Sequence, residues 1–137
     1  MDKRLGILLS QHKLKMTAAR IGILKFMNRA KTPVDVEELQ VYLDVERIKA
    51  DEATVYRILN TFVETNIIRR VEFQEGKYRY ELSILPHHHH LVCTNCRTIQ
   101  DINDCAMENF TKKLAHDSKF VIKEHNLEFF GLCPNCQ

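Results

Sequence analysis

One stretch constrains this chain more than any other: Pro86-His87-His88-His89-His90-Leu91-Val92-Cys93-Thr94-Asn95-Cys96. Four histidines run straight into a Cys-x2-Cys, and a second Cys-x2-Cys, Cys133-Pro134-Asn135-Cys136, follows after a gap of 36 residues. Cys93, Cys96, Cys133 and Cys136 suit a tetrahedral zinc shell, because each knuckle presents two thiolates to one ion. Four thiolates leave no open coordination position, so such a site is structural. The intervening residues must then fold so that the end of the chain returns to the first knuckle. Cys105 is left over, and is expected as a spare, half-buried thiol.

The rest of the composition narrows the class. At 45% hydrophobic and 28% charged, the chain is globular. No apolar run approaches a membrane span and no signal-peptide pattern opens the chain, so a cytoplasmic location is expected. Paired Cys-x2-Cys in a reducing compartment points to metal rather than disulfide. The formal charge is +2, unevenly spread: 15 Lys/Arg against 12 Asp/Glu in residues 1–82, and 5 against 6 afterwards. A weakly basic head is compatible with nucleic acid without requiring it.

The head reads as helices followed by a hairpin. Leu5, Leu8 and Leu9 predict a helix over residues 2–12. Thr17 caps a second helix to about Arg29, with Ala18, Ile21, Leu24 and Met27 inward. Thr32-Pro33 breaks the pattern, and Asp35 caps a third helix on the stripe Val36, Leu39, Leu43. The fourth, over residues 51–65, has Val55, Ile58, Leu59 and Phe62 at i, i+3, i+4 and i+7. Its other surface carries Thr54, Tyr56, Arg57 and Asn60, which suits either a major groove or plain solvent. Two β-runs, residues 67–73 and 78–82, flank a Gly76 turn. Helices then hairpin is the order of a winged helix-turn-helix. Arg69, Arg70, Lys77 and Arg79 decorate the wing, where a basic residue can meet phosphate.

Residues 83–86 read as a hinge between the head, residues 1–82, and a body, residues 87–137. The body is expected to hold strands over 88–92 and 97–102, a helix over 104–115, and closing strands over 120–122 and 126–132. Val121, Leu127, Phe129 and Phe130 are more apolar than so small a body needs, which predicts a dimer interface. On a strand, His88 and His90 share one face while His87 and His89 share the other. Glu81 and Asp101 are available to the first pair, Glu108 and His125 to the second. A flexible polar tract remains the alternative for a four-histidine run.

Taken together, Ala53-Thr54-Val55-Tyr56-Arg57-Ile58-Leu59, Tyr80-Glu81-Leu82, the histidine run with Cys93-x2-Cys96, and Cys133-x2-Cys136 resemble the ferric uptake regulator family. The likeness spans essentially the whole chain. It implies an α+β protein: an N-terminal winged helix-turn-helix domain, then a small α/β dimerisation domain stapled by a four-cysteine zinc site. It implies a homodimeric, metal-dependent transcriptional repressor, and so no enzyme. Its partner is double-stranded DNA carrying a pseudo-palindromic operator, with no membrane and no small-molecule substrate. By the same likeness Lys15, Arg20, Thr54, Tyr56, Arg57, Arg70 and Lys77 are DNA-binding. Cys93, Cys96, Cys133 and Cys136 hold structural Zn2+. Glu81, His88, His90 and Asp101 form a regulatory site for Fe2+, or Mn2+ or Zn2+. His87, His89, Glu108 and His125 form a second body site. Many members add a sensor histidine just before the third helix, where this chain has Pro33.

The expected function is Fe(II)-dependent repression of metal-homeostasis genes; the alternatives are a zinc-, manganese- or peroxide-sensing member. Two rivals come from other classes. A metalloenzyme lacks support, with no His-Glu-x-x-His and no nucleophile–base pair. A zinc-stapled protein–protein adaptor would show no salt-dependent DNA affinity.

Overall fold

Four helices open the chain because each has an apolar stripe, and three of them also have a capping side chain. The computed structural model describes residues 2–137, which form two compact units, one ending at Leu85 and the other spanning Pro86–Gln137. In the first unit α1 spans Asp2–Gln11, α2 Ala18–Arg29, α3 Val36–Val45 and α4 Glu52–Glu64. Thr17 accepts from the Arg20 N–H, Asp35 from Glu38 and Asp51 from Thr54, so α2, α3 and α4 each begin on a satisfied donor. At α3 the Glu38 carboxylate also accepts the Asp35 N–H at 2.9 Å, completing a capping box.

The stripes close over one core. Leu5 and Leu9 of α1 join Ile23, Leu24 and Met27 of α2, Leu39 and Leu43 of α3, and Val55, Ile58, Leu59 and Phe62 of α4. On α2 the buried face is Ile23, Leu24 and Met27; Ala18, expected inward, is exposed. β1, Ile68–Glu72, pairs antiparallel with β2, Tyr78–Leu82, and both add residues to this core. Val34 bridges to Tyr80 and ties the segment before α3 to the hairpin. This is the helices-plus-hairpin order of a winged helix.

The second unit is a three-stranded sheet in the order β4-β3-β5. β3, His89–Cys93, runs antiparallel to β4, Ile99–Ile102, and parallel to β5, Glu128–Gly131. One helix, α5, Glu108–Ser118, connects β4 to β5, and none of its residues is buried. It starts four residues later than the expected 104. Its first turn has no side-chain cap, and it ends on Lys119 in the left-handed region at φ 63°. The expected strand over 120–122 is absent: Phe120 and Val121 are apolar but 73% and 86% exposed, with no strand beside them. Among the described residues no helix is long and apolar enough to cross a membrane.

Candidate metal centres and nucleic-acid face

The register of β3 with β5 brings the two cysteine knuckles together. Cys93 stands opposite Gly131, and the Thr94 N–H donates to the Gly131 carbonyl at 2.8 Å, so both knuckles leave the sheet at the same end. All four sulfurs, of Cys93, Cys96, Cys133 and Cys136, lie within 4.8 Å of one another. The Cys96 and Cys133 sulfurs are 3.7 Å apart. A tetrahedron with Zn–S of about 2.3 Å has edges of about 3.8 Å, so the thiols fit the ion. The Cys93 thiol is lowered to about 6, first by the Cys133 backbone N–H and then by that of Cys96, which donate to its sulfur at 3.4 and 3.5 Å. Cys96 is lowered too, chiefly by the Thr98 hydroxyl, while Cys133 is pushed up to about 11 by the Cys136 thiol and burial. The first knuckle is built to carry thiolate. Arg97 follows it at φ 66°, where the turn back to Thr98 needs a left-handed residue.

The histidine rings separate by strand alternation. His88 and His90 meet edge-on with centroids 4.8 Å apart, and His87 and His89 do so at 4.6 Å. His88 Nδ1 lies 2.6 Å from the Pro86 carbonyl. A carbonyl only accepts, so Nδ1 carries the proton and Nε2 keeps its lone pair for a metal. His90 is cross-strand from Asp101, and its Nε2 is 3.7 Å from Asp101 Oδ1. That distance is too long for a hydrogen bond. Asp101 Oδ1 is buried and has no hydrogen-bond partner among the described residues. A buried carboxylate oxygen of this kind calls for a cation. Glu81, the fourth expected member, belongs to the first unit, where it accepts from Arg69 Nε at 2.7 Å, its cross-strand neighbour.

On the opposite face three of the four expected donors come together and one does not. His87, His89 and His125 converge, with Cys105 completing the group. Glu108 is not among them: it is exposed and pairs with Lys112 one turn along α5 at 3.1 Å. Cys105, expected as a spare thiol, is free and half-buried, and its sulfur lies 3.1 Å from His89 Nε2. Burial, then the neighbouring His87 and His125, hold the His89 imidazole below its ordinary pKa and so in the neutral, ligating form.

Residues 11–130 match the family model described as the ferric uptake regulator family. The chain belongs to that family. The ferric uptake regulation protein of Bordetella parapertussis is 36% identical over 125 residues, 90% of either chain. The crystal structure of the Vibrio cholerae ferric uptake regulator superposes with a TM-score of 0.83 at 32% identity, covering 93% of this chain and 98% of that one. The Helicobacter pylori ferric uptake regulator, whose structure is described as revealing three functional metal binding sites, gives 0.83 at 25% identity, with 98% and 89% covered. Membership makes this chain a metal-responsive regulator of the ferric uptake type.

The exposed polar and basic side chains of the winged unit make the candidate nucleic-acid face. Tyr56 and Arg57 are exposed on α4 opposite its buried stripe, and Arg57 Nη2 donates to Thr54 Oγ1 at 3.2 Å. Asn60, one turn on, accepts from Arg70 of β1 at 3.5 Å, and the Arg70 guanidinium stacks 5.1 Å over the Tyr78 ring. Lys15 is exposed, its carbonyl bonded by Arg20 Nη1 at 3.0 Å, which sets both residues at the start of α2. Two wing cations have internal work. Lys77 donates to the α3 cap Asp35 at 2.7 Å. Arg79, expected outside, is buried, holds Glu75 through two bonds of 2.9 Å and reaches the Pro33 carbonyl at 3.3 Å. Sequence reasoning missed Cys105 and Arg79. Ile102 pairs with His89, so a ligand-type residue three positions past β4 was the available signal for the first. For Arg79, a carboxylate four residues before it was the corresponding signal.

Proposed function

We propose that this chain represses transcription as a homodimer bound to a pseudo-palindromic double-stranded operator, with Fe(II) as the sensed metal. The observation that carries the sensor reading is the buried, unpartnered Asp101 Oδ1 facing the His90 ring beside His88. A nitrogen and carboxylate donor set favours Fe(II) or Mn(II) over a dedicated zinc sensor. The ion would supply charge and coordination only. His88 offers an imidazole already fixed in one tautomer, His90 and Asp101 offer adjoining strand positions, and Glu81 is assigned as the ligand contributed by the first unit. A ligand set drawn from both sides of residues 83–86 favours one setting of the reading heads over many. Metal and operator then strengthen each other's binding reciprocally.

Homodimerisation is supported by the apolar side chains the second unit leaves exposed, among them Phe110, Leu114, Phe120, Val121 and Phe129. DNA reading is assigned to Thr54, Tyr56 and Arg57 of α4, with Lys15, Arg20, Arg70 and Lys77 toward the backbone.

Operator binding titrated separately with Fe(II), Mn(II) and Zn(II) tests the reading, with total bound metal counted by elemental analysis. Fe(II) should tighten binding most. Replacing His88 and His90 together should abolish the metal response, and a double mutant that still responds fully refutes the sensor. Arg57→Ala should weaken operator binding by about 1–3 kcal/mol if the guanidinium reads a base. An unchanged gel-shift affinity would remove α4 from the groove.

A further inference from the structure

Three elements of the first unit each bring two side chains to one cleft. On β2, Tyr78 and Tyr80 are two residues apart and so share a face of the strand. On α4, Glu52 and Tyr56 are one turn apart, and on α3 so are Glu37 and Gln40. All six line a cavity of about 470 Å³ between α3, α4 and the wing. That volume lies in the range of about 300–1,000 Å³ that small ligands occupy.

The lining is rich in acceptors, and its charged donor is already engaged. Glu37 and Glu52 are exposed carboxylates with no ion pair among the described residues. Lys77, the one cation among the described lining residues, is held by Asp35 at 2.7 Å. The Gln40 amide nitrogen donates to Asp44 Oδ1 at 3.1 Å and to the Ala50 carbonyl at 2.9 Å. Both partners accept, so the orientation of the amide is fixed, and its buried Oε1 has no donor among the described residues. Tyr80 is 3% exposed, and its hydroxyl likewise has no hydrogen-bond partner among the described residues. Burial, and after it the nearby Tyr56 and Tyr78, raise its pKa against the pull of Arg70, so it stays a neutral phenol. Buried polar atoms are ordinarily satisfied, so this lining calls for a ligand that brings N–H groups.

The rings add a second requirement. The face of a tyrosine attracts a cation, and a guanidinium, being weakly hydrated, stacks on it well. Tyr78 already does this for Arg70, which is outside the cavity lining and has its guanidinium 5.1 Å from the ring centroid. We propose that this cleft binds a small organic cation, its guanidinium or alkylammonium head held by Glu37 and Glu52 against Tyr56, Tyr78 and Tyr80. An anion would meet two carboxylates, and a neutral molecule would gain nothing from them. Every residue of the site belongs to the first unit, so binding requires neither the metal centres nor the second unit. Tyr56 is shared with the face assigned to DNA, but the site does not rest on that assignment.

The test is titration of n-butylguanidinium into the zinc-loaded full chain at constant ionic strength, followed by proton–nitrogen correlation NMR, with n-butylurea as the neutral isostere. The probe stays at low millimolar concentration, far below denaturing levels. Saturable shifts should centre on residues 36–40, 52–56 and 76–80, and n-butylurea should produce none of them. Tyr78→Leu removes one ring and should weaken binding about two- to thirtyfold, the range of a cation–π contact. Glu37→Gln combined with Glu52→Gln keeps the helix caps Asp35 and Asp51 and should weaken it by a comparable factor. All three positions are exposed, so the variants should fold, and an unaltered spectrum away from the cleft checks that they do. Shifts that fail to saturate, that spread over the whole surface, or that n-butylurea reproduces overturn the proposal. So does an unchanged affinity in either variant.

Discussion

The two units of this chain are stabilised by different chemistry. In the first, helices α1 to α4 and the hairpin bury a continuous apolar cluster that includes Leu9, Ile23, Leu39, Leu59 and Phe62 with no exposure at all. In the second, Val92 and Cys93 are the only buried hydrophobic residues among those described, and the other buried side chains there are His88, His89 and His90. Fully burying a Leu or Phe side chain contributes about 1.5–3 kcal/mol, so the first unit accumulates stability residue by residue. The second has no such reserve. It has concentrated donors, which stabilise only when something binds them, and exposed apolar side chains, which stabilise only when something covers them. Under the proposed function this division is useful, because the unit assigned to DNA would stay folded while the unit assigned to metal would depend on its ion.

The sharpest way to break the comparison is to take the zinc away. Binding of a structural zinc contributes on the order of 10 kcal/mol to folding in small domains. Chelation, or Cys93→Ser, should therefore abolish amide protection in β3, β4 and β5 while α2 and α4 keep theirs in native-state hydrogen exchange. If protection fell equally in both units, or in neither, the division would be wrong. The converse is a core truncation. Phe62→Ala removes a fully buried ring from α4 and should cost about 3–5 kcal/mol. Its thermal transition should fall while bound zinc per chain stays constant.

These differences also explain how much of the fold was legible in the sequence. The first unit could be read because its signals are local: Thr17, Asp35 and Asp51 cap helices whose stripes repeat at helical spacing. The cysteine knuckles could be read for the same reason, since Cys-x2-Cys is a local geometry. In the second unit α5 has neither cap nor buried face, so its start was misplaced by four residues. Phe120 and Val121 looked like a strand because they are apolar, yet no strand lies beside them. Cys105 was missed as a member of the histidine cluster because its distance from His89 and His125 is set by sheet register and a loop. Arg79 was misread because a charge was assumed to face water, whereas Glu75 neutralises it inside the hairpin.

A third, smaller effect concerns pH. Burial works to raise the Asp35 pKa, but the Lys77 hydrogen bond and the Glu38 N–H outweigh it and leave the carboxyl below its ordinary value. A carboxylate depressed in the folded state contributes stability above its unfolded pKa and loses it as pH falls through the folded one. The first unit should therefore weaken below about pH 4. Asp35→Asn keeps a capping side chain and removes the charge, so it should flatten that acid limb at a cost of about 1 kcal/mol near neutrality. Equal acid sensitivity in native and variant chains would detach Asp35 from the effect.

The smallest effect lies at the one proposed sensor ligand that belongs to the apolar-core unit. Glu81 is held by Arg69 at 2.7 Å, an ion pair in which the arginine is more than a third exposed. Such half-solvated pairs contribute about 0.2–1 kcal/mol, and the guanidinium competes for the oxygen a metal would need. Arg69→Met keeps the side chain's apolar length and removes the competitor. Mn(II) affinity at the proposed regulatory site should then rise by about 1.4- to fivefold, the same energy read as a ratio. Unchanged Mn(II) binding would show that the pair is not broken on loading, and would count against Glu81 as a ligand.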